Sequence, residues 1–178
     1  MKKIHKQFKN ILIRYFILIL VAIPNLWIFY FVFTPITVYP VYFLVSLFFE
    51  SVLTKTTVTI SNYFPIEIIR ACVAGAAYYL LLILNLSTPK IKLKKRIKMI
   101  LLAFGCLLIL NILRIFFLSI TYVNGYSWFD ITHKLFWYLG SSVLIVGIWF
   151  AEVKLFKIKQ IPFYSDLKFL YRNSNLKK

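Results

Sequence analysis

The chain has 178 residues, 61% of them hydrophobic, and a mean hydropathy of +0.81, which excludes an ordinary soluble domain, where about half the residues are apolar. The net charge is +17, from 22 Lys+Arg against 5 Asp+Glu. These cations cluster between greasy segments, which is the topology signal of a membrane protein and excludes a nucleic-acid partner.

Several runs approach the roughly 20 apolar residues that cross a bilayer. The expectation is a single integral membrane domain over 1–178, an all-α polytopic bundle of about four spanning helices plus a short re-entrant or interfacial segment. A basic arm (1–10) precedes a catalytic core (about 66–151) and a basic tail (152–178). Cys72 and Cys106 are too few for a disulfide framework. The first apolar run is too long for a cleaved signal and reads as a retained anchor.

Lys2, Lys3, Lys6 and Lys9 make a cytoplasmic arm facing lipid headgroups, with His5 solvated in it. Ile11–Phe33 reads as the first span, with Arg14 snorkelling to the headgroups and Pro24-Asn25 kinking the helix. Thr34–Pro40, with two prolines, reads as a turn. Val41–Leu53 is apolar but short, so it reads as interfacial or re-entrant. Thr54–Phe64 alternates in Thr-Val-Thr-Ile and then has Ser61-Asn62, which suggests a β-like hairpin or loop outside the bilayer. Pro65 suits a first helical residue and Glu67 a first turn, opening a helix through Cys72 to Leu86.

Pro89–Lys98 holds six cations in a short loop and should be cytoplasmic. Met99–Ile120 is the next span, Thr121–Thr132 an outer connection, and His133–Ala151 the last span. In the tail, Phe156, Ile158, Ile161 and Phe163 suit the headgroup surface. All cations except Lys55, Arg70, Arg114 and Lys134 then lie on the cytoplasmic side. With residue 1 and residue 90 on one side, an even number of crossings must separate them. A non-spanning Val41–Leu53 satisfies this, and a flipped N-terminus is the alternative.

At about 1.5 Å per residue, Cys72 stands about 21 Å above Leu86, Arg114 about 22 Å above Met99, and His133 about 27 Å above Ala151. In a core of about 30 Å all three fall in the outer third. Singly they are ordinary: a cysteine packs as a small core residue, an arginine near a helix end snorkels, a histidine sits at the interface. Together they supply a nucleophile, a fixed cation for a developing oxyanion and a group that moves protons near neutral pH. That is the equipment of thiol acyl transfer through a thioester. Gly75 and Ala76 lie on the Cys72 face, Gly140 and Ser141 on the His133 face, as small residues that let helices approach. Asn111, one turn from Arg114, can orient it or bind substrate backbone. Glu67 and Arg70 can pair with each other, or Arg70 can be a second anion contact. Cys106 reads as packing. No cofactor and no metal is expected.

Ala71-Cys72-Val73-Ala74-Gly75, Asn111-Ile112-Leu113-Arg114-Ile115 and His133 followed by Gly140 resemble, in order and rough spacing, the archaeosortase/exosortase family. The resemblance covers about Glu67–Gly140. It implies a multi-pass membrane cysteine peptidase or transpeptidase with Cys72 as nucleophile, Arg114 as stabiliser and His133 as acid/base. It implies as partner a C-terminal sorting signal (motif, transmembrane helix, basic tail) of exported proteins, with transfer onto a lipid or surface acceptor at the outer face of the cell membrane. Many members have Ser after the Cys, where this chain has Val73, and many have more spans. The residues also allow a non-enzymatic scaffold, assembly factor or transporter subunit.

Overall fold

The computed structural model describes residues 2–23 and 25–173. They form α1 (Lys2–Ala22), α2 (Trp27–Ser46), β1 (Ser51–Thr54), β2 (Thr57–Ile60), β3 (Phe64–Glu67), α3 (Arg70–Val73), α4 (Gly75–Ser87), α5 (Leu93–Val123), α6 (Phe129–Leu135), α7 (Ser141–Leu155) and α8 (Tyr164–Asn173). A π turn, Phe136–Gly140, joins α6 to α7. The protein is mostly helical, and the expected all-α class gains a small sheet. Three stretches, Trp27–Ser46, Arg70–Ser87 and Leu93–Val123, are long and apolar enough to cross a membrane. Outward side chains such as Phe43, Leu101, Phe117, Val143 and Phe150 are exposed. Such a face suits lipid rather than water.

Ile11–Phe33 is not one helix. Asn25 and Leu26 take left-handed backbone and divide α1 from α2, while Pro24 lies outside the described residues. Thr34–Pro40 is not a turn but the middle of α2, with Pro35 and Pro40 inside the helix. Phe29, Phe33, Thr37, Val41 and Val45 recur every fourth residue and are buried as one stripe. Burial of that stripe outweighs the donors lost at the prolines, as it can where neighbouring helices shield the backbone. Residues 41–46 therefore finish α2, and the following residues enter β1.

The break leaves α1 and α2 running the same way. Arg14 meets the Leu86 carbonyl and the Leu18 carbonyl accepts from the Tyr79 hydroxyl. Phe33 then stacks on Tyr78 with ring centroids 3.7 Å apart, and Phe48 reaches Phe116. These contacts ascend from the end that holds Arg96 (the basic end) to the end that carries the strands (the sheet end). Phe29, Phe33, Tyr78 and Phe104 make the central aromatic cluster. Each such pair adds about 0.5–1.5 kcal/mol beyond area burial.

The hairpin expected over Thr54–Phe64 is an antiparallel three-stranded meander, β1-β2-β3, turning at Lys55 and at Ser61-Asn62, all with positive φ. Val58 and Ile60 are buried against the helices. Pro65 and Glu67 belong to β3, not to a helix start. Ile68 N–H donates to the Thr56 carbonyl, so by alternation Phe64 and Ile66 bond to β2 while Pro65 and Glu67 turn their backbone to the open edge. Proline is tolerated there because that position needs no ladder donor.

The basic stretch Pro89–Lys98 is a loop only to Lys92: from Leu93 it is the first part of α5, and its cations have structural duties. Arg96 Nη1 donates to the Asn85 and Leu86 carbonyls and Nη2 to Thr88, all at 2.8 Å, and Arg14 Nη1 adds a fourth bond to Leu86. Two guanidinium groups thus satisfy the orphan carbonyls and negative dipole at the end of α4. Lys95 Nζ donates to the Phe156 carbonyl just beyond α7. Arg14 does not snorkel outward: it forms a two-pronged pair with the Asp166 carboxylate at 2.9 and 2.8 Å, which docks α8 on α1.

Candidate functional site

Cys72 does not lie within a continuous helix. Its Cα sits in the single turn α3, and Ala74 follows in the left-handed region (φ 61, ψ 38) before α4 begins at Gly75. Such a conformation in a residue other than glycine is strained by about 1–2 kcal/mol, so its surroundings must hold it. Val73 is fully buried on one side. Gly75 lies against Tyr30, where a Cβ would come within 2.7 Å of the ring. The Arg70 guanidinium rests over the same ring at 5.5 Å from its centroid. Of the two roles open to Arg70, the ion pair with Glu67 is absent among the described residues; the guanidinium lies on Tyr30 instead.

From α5, Asn111 Nδ2 donates to the Cys72 carbonyl at 2.7 Å. Asn111 is buried, and this bond ties the α3 turn to the middle of α5. It neither orients Arg114 directly nor lies free for substrate backbone. One turn closer to the sheet end, Arg114 Nη1 donates to Ser141 Oγ at 3.2 Å. The Arg114 Nε–H is buried and finds no acceptor among the described residues. The guanidinium and the Cys72 thiol, itself half-buried, stand within each other's electrostatic reach, and Glu67 also acts on the thiol. Cys106 is partly buried against the core.

The π turn decides which residues of the last helix face this group. Over eight residues an α-helix turns about 80° past two full turns, but the extra residue in a π turn takes back about 100°. His133 and Ser141 therefore fall close to one face, the face that meets Arg114. Along the axis they are about 12 Å apart. Ser141 lies level with Asn111, Arg114 and Cys72, while His133 stands about two turns nearer the sheet. There its ring stacks on Phe129, which packs on Tyr122, which in turn meets Phe64 of β3. The structure thus groups Cys72, Asn111, Arg114 and Ser141 in one layer, and sets His133 above it beside the sheet.

Sequence reasoning placed Gly140-Ser141 on the His133 face as small packing residues, but not Ser141 as the partner of Arg114. A regular helix brackets the His133 face with Gly140 and Ser141, and the π turn rotates Ser141 onto it, opposite Arg114. The Tyr122–Phe129–His133 stack also went unread, although its spacing of one helical turn from Phe129 to His133 is visible in the sequence.

Chemically, the layer offers a thiol, a positive group with one uncommitted buried N–H and a hydroxyl, with the His133 imidazole about two turns above it. Among the described residues no group of His, Cys, Asp and Glu is arranged to hold a metal ion. Compared with known proteins, the chain matches no family model, no curated protein and no solved structure.

Proposed function

We propose that this protein is a membrane-embedded cysteine peptidase or transpeptidase that acts on the C-terminal sorting signal of exported proteins. The carrying observation is the buried Arg114 Nε–H, which has no acceptor among the described residues and lies one turn along α5 from the Asn111 that bonds the Cys72 carbonyl. An unsatisfied buried donor costs about 1–3 kcal/mol, and a ligand oxygen in the same space removes that cost. The resemblance of the Cys72, Arg114 and His133 motifs to the archaeosortase/exosortase family supports the same reading.

In this reading the Cys72 sulfur attacks the scissile carbonyl carbon. The thiol proton passes through water to His133 and on to the leaving nitrogen, so the C–N bond breaks and a free amine departs. The Arg114 Nε–H donates to the oxyanion as it forms. Water or an acceptor amine then attacks the thioester and returns the thiol. Glu67 and Arg70, at the foot of β3 and the start of α3, flank the entry for substrate.

The membrane arrangement that supports this has four crossings, α1 with α2, α3 with α4, α5, and α6 through α7, in the cell membrane. The basic end then faces the cytoplasm by the positive-inside rule, and the sheet and Cys72 face outward. A single outward passage by α1 and α2 meets the parity requirement without a flipped N-terminus.

A non-catalytic scaffold reading draws on the same bonds, since Asn111 and Arg114 also tether α3 and α7 to α5. Substitution at Cys72 separates the two. Asn111 binds the backbone carbonyl of Cys72, so Cys72→Ala leaves that tether in place. The test co-expresses an exported protein ending in an apolar helix and a Lys/Arg tail and follows its mass. Cys72→Ala should leave the substrate at full length while the variant keeps the wild-type melting midpoint. Normal processing by that variant refutes the proposal.

A further inference from the structure

A cavity of about 960 Å³ opens at the basic end, between α1, the segment leading into α5, and α8. Its lining includes Arg14, Lys90, Arg96, Lys168 and Arg172, against the single carboxylate of Asp166. Arg14 is committed to Asp166 and Arg96 to the α4 carbonyls. Lys90, Lys168 and Arg172 are exposed at the rim and make no ion pair among the described residues. The cavity therefore keeps a concentrated positive charge that its own residues do not neutralise. Gln7, Asn10, Ser165 and Asn173 add neutral polar groups to the lining, while Ile13 and Ile17, one turn apart on α1, and Leu93 present exposed apolar surface there. Because α1 rises away from the basic end, Ile13 and Ile17 lead from the cations along the apolar flank of the protein.

We infer that this cavity binds the headgroup of an anionic phospholipid, with the phosphate among Lys90, Lys168 and Arg172 and an acyl chain along Ile13 and Ile17. Basic pockets between helices near a membrane surface recognise such headgroups, and each Lys or Arg near the surface contributes measurably to the attraction. A soluble anion uses the cations but not the apolar wall; a zwitterionic lipid uses the wall but carries no net charge for the cations. The site is separate from the proposed chemistry, since the length of α4, about 20 Å, lies between it and Cys72. Occupancy would hold α8 against α1 and so brace the Arg14–Asp166 pair.

The test uses the full chain purified in a neutral detergent. Native mass spectrometry reads retained lipid and thermal melting reads stabilisation, with phosphatidylglycerol, phosphatidylcholine or inorganic phosphate added. Phosphatidylglycerol should be retained and should raise the midpoint, while phosphatidylcholine and inorganic phosphate should do neither. In the triple variant Lys90→Gln, Lys168→Gln, Arg172→Gln, affinity for phosphatidylglycerol should fall at least about tenfold, with the lipid-free midpoint unchanged. Should that variant fail to fold, Lys90→Gln alone should weaken retention several-fold. Equal retention of both lipids, equal stabilisation by inorganic phosphate, or undiminished retention by a folded variant overturns the assignment.

Discussion

Gly75→Ala probes the joint that carries Cys72. A Cβ at this position would lie 2.7 and 2.8 Å from two ring atoms of Tyr30 and 3.1 Å from its hydroxyl. Ordinary carbon contacts begin near 3.5 Å, so the ring must retreat by about 0.7 Å or α4 must shift away from α2. Tyr30 is not free to swing, because Arg70 rests on its face. Overpacking of this kind costs about 1–3 kcal/mol, and the better helix propensity of alanine returns up to about 1. The net expectation is a loss of about 1–2 kcal/mol, read as a fall of about 3–6 °C in the melting midpoint of the purified protein. The cost should vanish on a Tyr30→Ala background, where the ring is gone. Gly105→Ala and Gly147→Ala, where a Cβ meets nothing within 4 Å, should leave the midpoint unchanged or slightly higher. An equal cost of Gly75→Ala with and without the Tyr30 ring, or no cost at all, refutes the reasoning, because the cycle then shows no coupling between the two residues.

Three further outcomes follow from the bonds described. Asn111→Leu should cost about 1–2 kcal/mol in thermal melting, since the Cys72 carbonyl loses its buried donor. Asp166→Asn should leave the Arg14 guanidinium, only 12% exposed, without its anion; a loss of about 2–4 kcal/mol and early proteolytic release of α8 are expected, and unchanged cleavage kinetics would contradict the docking. Glu152 Oε2 accepts from Asn85 Nδ2 while Glu152 Oε1 and Asn85 Oδ1 are buried without partners among the described residues, so Glu152→Gln, which brings a second donor, should fall within about 0.5 kcal/mol of wild type in denaturation, whereas Glu152→Leu should cost about 2 by stranding Asn85.

The membrane class, the Thr54–Phe64 hairpin and the long helix α5 were legible because each has a strong local signal: hydropathy, alternation with a turn, and a long unbroken apolar run. The division of helices was less legible. The prolines of α2 marked a turn by local rules, but a stripe of buried residues every fourth position held the helix together. The break came at Asn25-Leu26 instead, and the Cys72 helix broke at Ala74, where no glycine or proline announces a left-handed residue. Depth counting from helix ends placed Cys72 and Arg114 at one height; the break at Ala74 interrupts that count, and the bond from Asn111 to the Cys72 carbonyl holds the α3 turn one helical turn from Arg114. The same counting put His133 in their layer, although its height of about 27 Å already stood farthest out, and the structure sets it about two turns nearer the sheet. Arg14 and Arg96 looked like topology markers because their partners, Asp166 and the α4 carbonyls, are distant in sequence or belong to the backbone.

Pro65 has a consequence beyond its own strand. A membrane crowds its proteins into two dimensions, where identical sheets meet face to edge far more often than in solution. Since the ring nitrogen of Pro65 brings no hydrogen to the outward side of β3, a shared ribbon between two copies that collide there lacks a rung at its centre. Replacing it with threonine would restore that hydrogen and turn a self-limiting rim into a seam along which neighbours assemble.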